Sequence, residues 1–129
     1  MTTVECFYNE KTKEFLLRVN GHAGYNPGND IVCSACSILT FTAWQAVHDL
    51  EEEKLLKNIV SFKNDGYMSI KAKLININTS LNVLRGIVRG FEMLAHEHPE
   101  HVEVIGIDSI DNVCRTKENT SKFYSVIKE

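Results

Sequence analysis

The chain has 129 residues, of which 43% are hydrophobic and 24% charged, and 14 Lys and Arg against 17 Asp and Glu give a net charge of −3. This length predicts a single domain over 1–129, and the composition is that of a globular protein rather than a disordered one. The acidic balance and the absence of a basic tract argue against direct nucleic-acid binding. Four cysteines, two of them in Cys33-Ser-Ala-Cys36, are the residues whose chemistry needs an explanation.

No feature of the sequence predicts export or membrane insertion. The first five residues lack the basic start and apolar run of a secretory signal. The longest uncharged stretch, Ile31 to Val47, is interrupted by Ser, Thr and Gln and falls short of the roughly 20 apolar residues of a membrane span. We therefore expect a cytoplasmic protein with no membrane partner, whose cysteines are thiols because the cytoplasm is reducing.

The first half of the chain predicts a hairpin, a loop and a helix. Thr2 to Tyr8 and Glu14 to Asn20 read as strands joined by a polar turn. Gly21 to Asn29 reads as a loop because it holds a proline and three glycines. These glycines are Gly21, Gly24 and Gly28. A helical pattern then runs from Asp30, an expected N-cap, to about Glu52.

The second half predicts the same order again. Ile59 to Asn64 and Tyr67 to Ile75 flank Asp65-Gly66, a strong hairpin signal. A second helix is expected from a Ser80 cap to His98. The order β-β-α-β-β-α predicts an α+β fold of two layers, with two helices packed on one antiparallel sheet.

The end of the chain carries weaker signals. Pro99 ends the second helix, and Val102 to Ile107 reads as a short last strand. Residues from about 109 to 129 are an extension of the domain, which we expect to be partly disordered because it is polar.

The two cysteines of Cys33-Ser-Ala-Cys36 differ in their position on the first helix. At 100° per residue, Cys36 falls in the apolar stripe that includes Val32, and Cys33 falls about 100° from Val32, at the edge of that stripe. We therefore expect Cys36 to pack in the core and Cys33 to be accessible. Cys6 and Cys114 carry no functional signal.

Cys33 lies in the first turn of the predicted helix, where unpaired N–H groups and the helix dipole favour a thiolate. The helix end contributes roughly 0.3–1 kcal/mol, which is too little to activate a thiol at neutral pH without a nearby imidazolium. Of the five histidines, His22 lies at the start of the Gly-rich loop, and a loop that doubles back brings it beside Cys33.

The run from Gly21 to Ser37 resembles the signature of the ribosomal-processing cysteine protease family, Prp. In that signature Gly-His and a glycine-bearing loop precede Gly-x-Asp-x-Val-Cys-small-small-x-Ser, which this chain matches from Gly28 to Ser37. The β-β-α-β-β-α order is similar to that family as well. Cys36 departs from it, since the family usually has an aliphatic residue there.

The resemblance implies a homodimeric cytoplasmic endopeptidase without a metal or cofactor. It implies that Cys33 is the nucleophile, that His22 is the general base and acid, and that Asp30 caps the helix or orients His22. Gly21, Gly24 and Gly28 would belong to a substrate loop. The substrate implied is the precursor of large-subunit ribosomal protein twenty-seven, whose N-terminal extension is removed. Backbone N–H groups of the first helical turn, including that of Cys33, are expected to stabilise the oxyanion.

Three other interpretations stay open from the sequence. A dithiol redox protein would use Cys33 and Cys36, although a hairpin and a Gly-rich loop precede them instead of a βαβ unit. A zinc site would pair these two cysteines with histidines near the end of the second helix, at weak spacing. These histidines are His96, His98 and His101. The third interpretation is a non-enzymatic ribosome-assembly factor.

Two aromatic residues of the first helix lie off its core stripe. Phe41 and Trp44 either line a peptide groove or bury a dimer contact, since this helix is apolar on more than one side.

Overall fold

A computed structural model describes residues 1–25, 28 and 30–114 of the chain. Two units of two strands and a helix are followed by a single strand and a short helix. The elements are β1 Thr2–Asn9, β2 Glu14–Asn20, α1 Ile31–Glu52, β3 Leu56–Asn64, β4 Tyr67–Leu74, α2 Ile77–Glu97, β5 Val102–Ile105 and α3 Asp108–Cys114. The predicted α+β class and the two-layer arrangement are confirmed.

The strands form one five-stranded sheet in the order β3-β4-β2-β1-β5. Both hairpins pair antiparallel, and so do β2 and β4, whereas β5 pairs parallel to β1 from Thr2 opposite Val102 to Glu5 opposite Ile105. The sheet is therefore mixed rather than wholly antiparallel. The reason is that α2 crosses the sheet between β4 and β5, and a helical crossover returns the chain in the direction of the preceding strand.

The core lies between one face of this sheet and the two long helices. Alternate residues of β1, β2 and β4 are buried, as period-two packing on one covered face requires. The sheet contributes Val4, Cys6, Tyr8, Phe15, Leu17, Val19, Met68, Ile70, Ala72 and Leu74. Leu81, Leu84, Val88 and Phe91 of α2 are buried on the opposite layer.

α1 follows the predicted helix closely, from its Asp30 cap to its end at Glu52. By length and composition alone, α1 is long and apolar enough to cross a membrane. The sequence predicts no such span when only the uncharged residues 31–47 are considered. The core helix of a folded domain meets the same criterion, and α1 buries six residues in the domain. Thr40 is among them although it is polar, because its hydroxyl donates to the Cys36 carbonyl at 2.7 Å.

The predicted cap of α2 is wrong. Asn76 is the N-cap, and its side chain accepts from the Thr79 N–H at 3.1 Å. Ser80 lies one turn inside the helix, fully buried, and its hydroxyl donates to the Leu55 carbonyl at 3.0 Å. A serine that binds a carbonyl of another element satisfies its hydroxyl without ending the helix.

Residues 109–114, the start of the predicted extension, belong to α3 and pack against the rest of the domain. Ile110 of α3 is fully buried, and the half-buried Arg89 of α2 binds Asp111 at 2.6 Å as well as the neighbouring Glu92. The last strand also ends earlier than predicted, at Ile105, before Gly106 with φ +93°. The rest of the predicted extension, 115–129, lies outside the described residues.

Candidate active site

The Gly-rich loop, the start of α1 and the turn between β3 and β4 meet at one end of the sheet. β2 ends at Asn20, which pairs with Tyr67 at the start of β4, so the loop after β2 begins beside the β3–β4 turn. Gly21 donates its N–H to the carbonyl of Gly66 in that turn at 2.7 Å. A cleft of about 480 Å³ opens between these segments. It is lined by Thr2, Val19, Gly21, His22, Cys33, Cys36, Ser37, Thr40, Phe41 and residues 63–68.

Cys33 lies in the first turn of α1, half-buried, with its side chain on this cleft. Its Sγ accepts a hydrogen bond from the backbone N–H of Ala23 at 3.3 Å. The sulfur therefore has a backbone donor aimed at it, at the N-terminal end of a helix. The structure thus places Cys33 where the sequence predicts a nucleophile.

Cys36 is buried, with 4% of its surface exposed, although part of it reaches the floor of the cleft. Burial raises the pKa of its thiol to about 11, and the nearby Cys33 and Asp30 add to the rise. A thiol that stays protonated at neutral pH and is shielded from solvent suits packing rather than dithiol exchange.

His22 follows β2 and is exposed on the same cleft. The structure brings its ring and the Cys33 thiol to one cavity, and in the described part of the chain no hydrogen bond joins them. The ring lies against Gly66 instead: a Cβ at Gly66 would be 2.8 Å from the His22 Nε2. The His22 carbonyl accepts from the Met1 ammonium at 2.8 Å.

Asp30 uses both carboxylate oxygens on backbone donors. Oδ1 accepts from the Cys33 N–H at 2.9 Å, which is the N-cap bond, and Oδ2 accepts from the Tyr25 N–H at 3.0 Å. The helix-cap role expected of Asp30 is therefore present, and the same side chain ties the loop to the helix. The Cys33 N–H is engaged in this cap, so the expectation that it binds the oxyanion is not met in this structure.

Of the three loop glycines, Gly21 is the one that close packing requires. Its φ is +97°, and a Cβ there would lie 2.4 Å from the Met1 carbonyl oxygen. Gly24 and Gly28 have φ of +67° and +87°, with no atom within 4 Å of a Cβ position.

Two of the histidines near the end of α2, His98 and His101, lie against the Gly-rich loop. His101 Nδ1 is 2.9 Å from the Ala23 carbonyl oxygen, and the Tyr25 ring packs edge-on against His98 and His101. Within the described ranges, no group of three or more His, Cys, Asp or Glu side chains is arranged to hold a metal ion.

A smaller apolar cavity of about 270 Å³ adjoins the cleft and shares Phe41, Lys63 and Met68 with it. Trp44 and Phe62 complete its apolar wall, and the Lys63 ammonium lies 4.6 Å from the centre of the Phe41 ring. Sequence reasoning singled out the two aromatic residues of α1 but missed the β3 side of this cavity.

Sequence reasoning also missed Ala23, Gly66 and His101 as neighbours of the site. Asp65-Gly66 carried a signal for a turn, but only the pairing of β2 with β4 brings that turn to His22. His101 directly precedes β5, and the parallel pairing of β5 with β1 brings it to the same end of the sheet.

Several solved structures share this fold, among them the following three. A ribosomal processing protease Prp from S. aureus with a covalently linked product peptide aligns with a TM-score of 0.64 at 23% identity, over 81% of this chain and 97% of that one. The same protease with a substrate peptide gives a TM-score of 0.59 at 20% identity over the same shares. SMU.848 from Streptococcus mutans gives 0.54 at 25% identity, over 81% of this chain and 91% of that one.

No functionally curated protein matches the chain. The model of the family described as cysteine protease Prp matches residues 1–103, about four-fifths of the sequence, and its span contains the loop, α1 and the whole cleft. The chain belongs to the Prp family of cysteine proteases.

Proposed function

We propose that this cysteine protease removes the N-terminal extension of large-subunit ribosomal protein twenty-seven, using Cys33 and His22 as its catalytic pair. The observation that supports this most directly is the shared cleft. It holds a thiol at a helix start, with a donor on its sulfur, and a solvent-exposed imidazole on the facing segment. The S. aureus relative, described as an essential ribosomal processing protease, has been captured with a substrate peptide and with a linked product.

The reaction is acyl transfer through a thioester. The Cys33 thiolate attacks the scissile carbonyl carbon and forms a C–S bond, and the C–N bond breaks as the His22 imidazolium protonates the leaving amine. Neutral His22 then takes a proton from water, and the hydroxide attacks the thioester. The C–S bond breaks, Cys33 returns as the thiolate and His22 as the imidazolium.

Two features of the fold support this chemistry. Asp30 fixes the first turn of α1 and with it Cys33, because its Oδ1 caps the helix at the Cys33 N–H. Gly66 gives the His22 ring a flat surface without a side chain. The loop that carries His22 is anchored at Gly21 and Tyr25, and a loop movement that closes over a peptide brings the imidazole to the sulfur.

Mixing the purified protein with the extended ribosomal protein and weighing the products by mass spectrometry tests this function. We expect one cut that releases the extension, and we expect Cys33→Ala and His22→Ala each to abolish it while the protein stays folded. Cys36→Ala is the matched control, since it removes a thiol from the same helix and retains cleavage. Cleavage that persists in Cys33→Ala would end the proposal.

We further propose that the protein works in the cytoplasm as a homodimer. Ribosome assembly is a cytoplasmic process in bacteria, and a net charge of −3 suits the binding of a basic ribosomal polypeptide. Support for the dimer comes from an apolar face formed by α1 and the edge strand β3. This α1–β3 face consists of Phe41, Trp44 and Phe62, which are exposed and line one cavity beside β3.

A further inference from the structure

A path of hydrogen bonds runs from the start of β5 to the Cys33 sulfur. His101, directly before β5, has its Nδ1 2.9 Å from the carbonyl oxygen of Ala23. The N–H of the same Ala23 donates to Cys33 Sγ at 3.3 Å. Since a carbonyl oxygen only accepts, the hydrogen of this first bond is on Nδ1. His101 is therefore a donor here, and Ala23 links it to the sulfur.

Ala23 is held at this place from several directions. It is almost fully buried, although both of its neighbours, His22 and Gly24, are exposed. Two residues further on, the Tyr25 ring packs edge-on against His101, with the ring centroids 5.4 Å apart. His101 itself is fixed by the sheet, because its carbonyl accepts from the Thr2 N–H at 2.8 Å. A rigid element thus holds the part of the loop that faces the sulfur.

The direction of the Ala23 N–H matters for the chemistry of Cys33. A hydrogen bond to the charged form of a group stabilises that form, and bonds to charged groups are stronger than neutral ones. If the Ala23 carbonyl loses its donor, the remaining contacts of the loop orient this peptide group less firmly, and the Ala23 N–H is no longer held on the sulfur. The thiolate then loses a stabilising contact that the helix end alone does not replace.

We propose that His101 is a positioning residue of this protease. Its Nδ1–H holds Ala23 so that the Ala23 N–H stays on the Cys33 sulfur and favours the reactive thiolate. This inference rests on the proposed role of Cys33 as the nucleophile. It also gives a role to a histidine that the sequence offered only as a zinc ligand.

Three substitutions separate the donor from the ring. His101→Phe keeps an aromatic ring against Tyr25 but removes the donor. His101→Asn keeps a donor close to the place of Nδ1 but removes the ring. His98→Phe is the matched control, because His98 contacts Tyr25 by its ring alone at 5.1 Å between centroids.

The readout is the rate of iodoacetamide alkylation at Cys33 across pH, located by peptide mass spectrometry. We expect His101→Phe to lower that rate about tenfold at neutral pH, as the loss of a hydrogen bond to a charged group does. His101→Asn should keep most of the rate, and His98→Phe should match the unmodified protein. In peptide cleavage, His101→Phe should lower kcat with little change in KM.

Two results would overturn the inference. One is a His101→Phe variant that alkylates as fast as the unmodified protein; the other is a His101→Asn variant as slow as His101→Phe, which would assign the effect to ring packing. Nitrogen-15 spectra of the unmodified protein give a measurement that needs no variant, and a neutral His101 without a hydrogen on Nδ1 would also contradict the proposal.

Alkylation needs no substrate, so this test is independent of the ribosomal protein. If Cys33→Ala and His22→Ala both still cleave the ribosomal protein, the proposed function is refuted, whatever the result for the His101 variants. Loss of cleavage in both, together with an unaffected His101→Phe, would refute only the inference about His101.

Discussion

The imidazole of His22 occupies space that any side chain at position 66 would fill. A Cβ on Gly66 would lie 2.8 Å from Nε2 and 3.4 Å from both ring carbons bonded to it. Such a contact is shorter than van der Waals distance, so the ring or the turn must move. Gly66 also accepts the Gly21 N–H, so a shift of the turn would be passed to the loop that carries His22.

We predict that Gly66→Ala lowers kcat for peptide cleavage at least tenfold, because a displacement of about 1 Å in a catalytic group has that order of effect. The positive φ of +69° also makes alanine strained here, at a cost of about 1–2 kcal/mol. A domain of this size is typically stable by roughly 5–15 kcal/mol, so the variant stays folded. Urea unfolding and kcat are the two measurements, and a folded variant with unchanged kcat would contradict the prediction.

The buried thiols predict a loss of stability in alkaline solution. Burial raises the pKa of Cys6 from its ordinary value of 9.0 to about 12, with Glu92 and Asp111 adding to the rise, and that of Cys36 to about 11. Below pH 9 both thiols are protonated in the folded and the unfolded chain, so this stability is fully present. Above pH 9 the unfolded chain alone releases their protons, and the free energy of unfolding falls until the pH passes the folded-state values.

For each thiol the expected slope is about 1.4 kcal/mol per pH unit within that window. Urea unfolding at several pH values from neutral to alkaline measures it. In Cys36→Ala the free energy of unfolding should fall less steeply with pH than in the unmodified protein, because one of the two thiols no longer contributes. Equal slopes in the two proteins would show that Cys36 does not keep its proton in the folded state.

At the level of single residues, the sequence predicts the positions of those site residues that lie close together in the chain. Cys33, Asp30 and the burial of Cys36 follow from helix periodicity and capping, which are local rules. His22 came from its place after a strand and from the family resemblance. Ala23 and His101 could not be predicted, because they are 78 residues apart and only the tertiary fold joins them.

At the level of the secondary-structure elements, one carboxylate at the start of α1 both caps the helix and anchors the Gly-rich loop. Asp30 caps the helix through the Cys33 N–H and anchors the loop through the Tyr25 N–H. A cap normally contributes about 1 kcal/mol to stability, so its loss would weaken the helix without unfolding the domain. The loop bond adds nothing to the helix but ties Tyr25 of the loop to the start of α1.

We predict that Asp30→Asn separates these two roles. The amide keeps one acceptor oxygen for the cap, so the free energy of unfolding should stay within about 1 kcal/mol of the unmodified protein. Its NH₂ group cannot accept from the Tyr25 N–H, so the loop is loosened and kcat should fall severalfold. Asp30→Ala should lose both the cap bond and the loop bond, and with them stability as well as activity. An Asp30→Asn variant with full activity would show that the loop bond is dispensable.

The element order was predictable, but the direction of the strands was not. Each hairpin is visible in the sequence as two apolar runs around a turn, whereas the parallel pairing of β5 with β1 depends on where α2 crosses the sheet. Asn76 and Ser80 show the same limit at a helix end. Both are good caps by residue type, and the packing of Ser80 against the Leu55 carbonyl decides between them.

At the level of the whole molecule, the crossovers through α1 and α2 bring the segments of the site together at one end of the sheet. β2 and β3 both end there, α1 begins there, and β1 and β5 start there. A protease cleft therefore forms from segments spread over 1–101, while α3 packs beyond it and is fixed by the Arg89–Asp111 ion pair. This arrangement leaves β3 at the edge of the sheet, next to the exposed side of α1.

The α1–β3 face predicts a dimer that a single charge would break. Phe41 and Phe62 are 43% and 56% exposed, and an apolar face beside an unpaired strand edge favours association of two copies. Trp44→Lys places a charge in the centre of this face, where it would be buried without a partner in the dimer. We expect sedimentation velocity to show a dimer for the unmodified protein and a monomer for Trp44→Lys.

Val83→Lys is the control for that experiment, since Val83 is exposed to a similar degree, 42%, on α2 and outside the α1–β3 face. It should stay dimeric. Trp44 also lines the cavity that adjoins the cleft, so KM for the ribosomal precursor tells which role is primary. A Trp44→Lys variant that remains dimeric but binds substrate more weakly would assign this face to the peptide instead of the second copy.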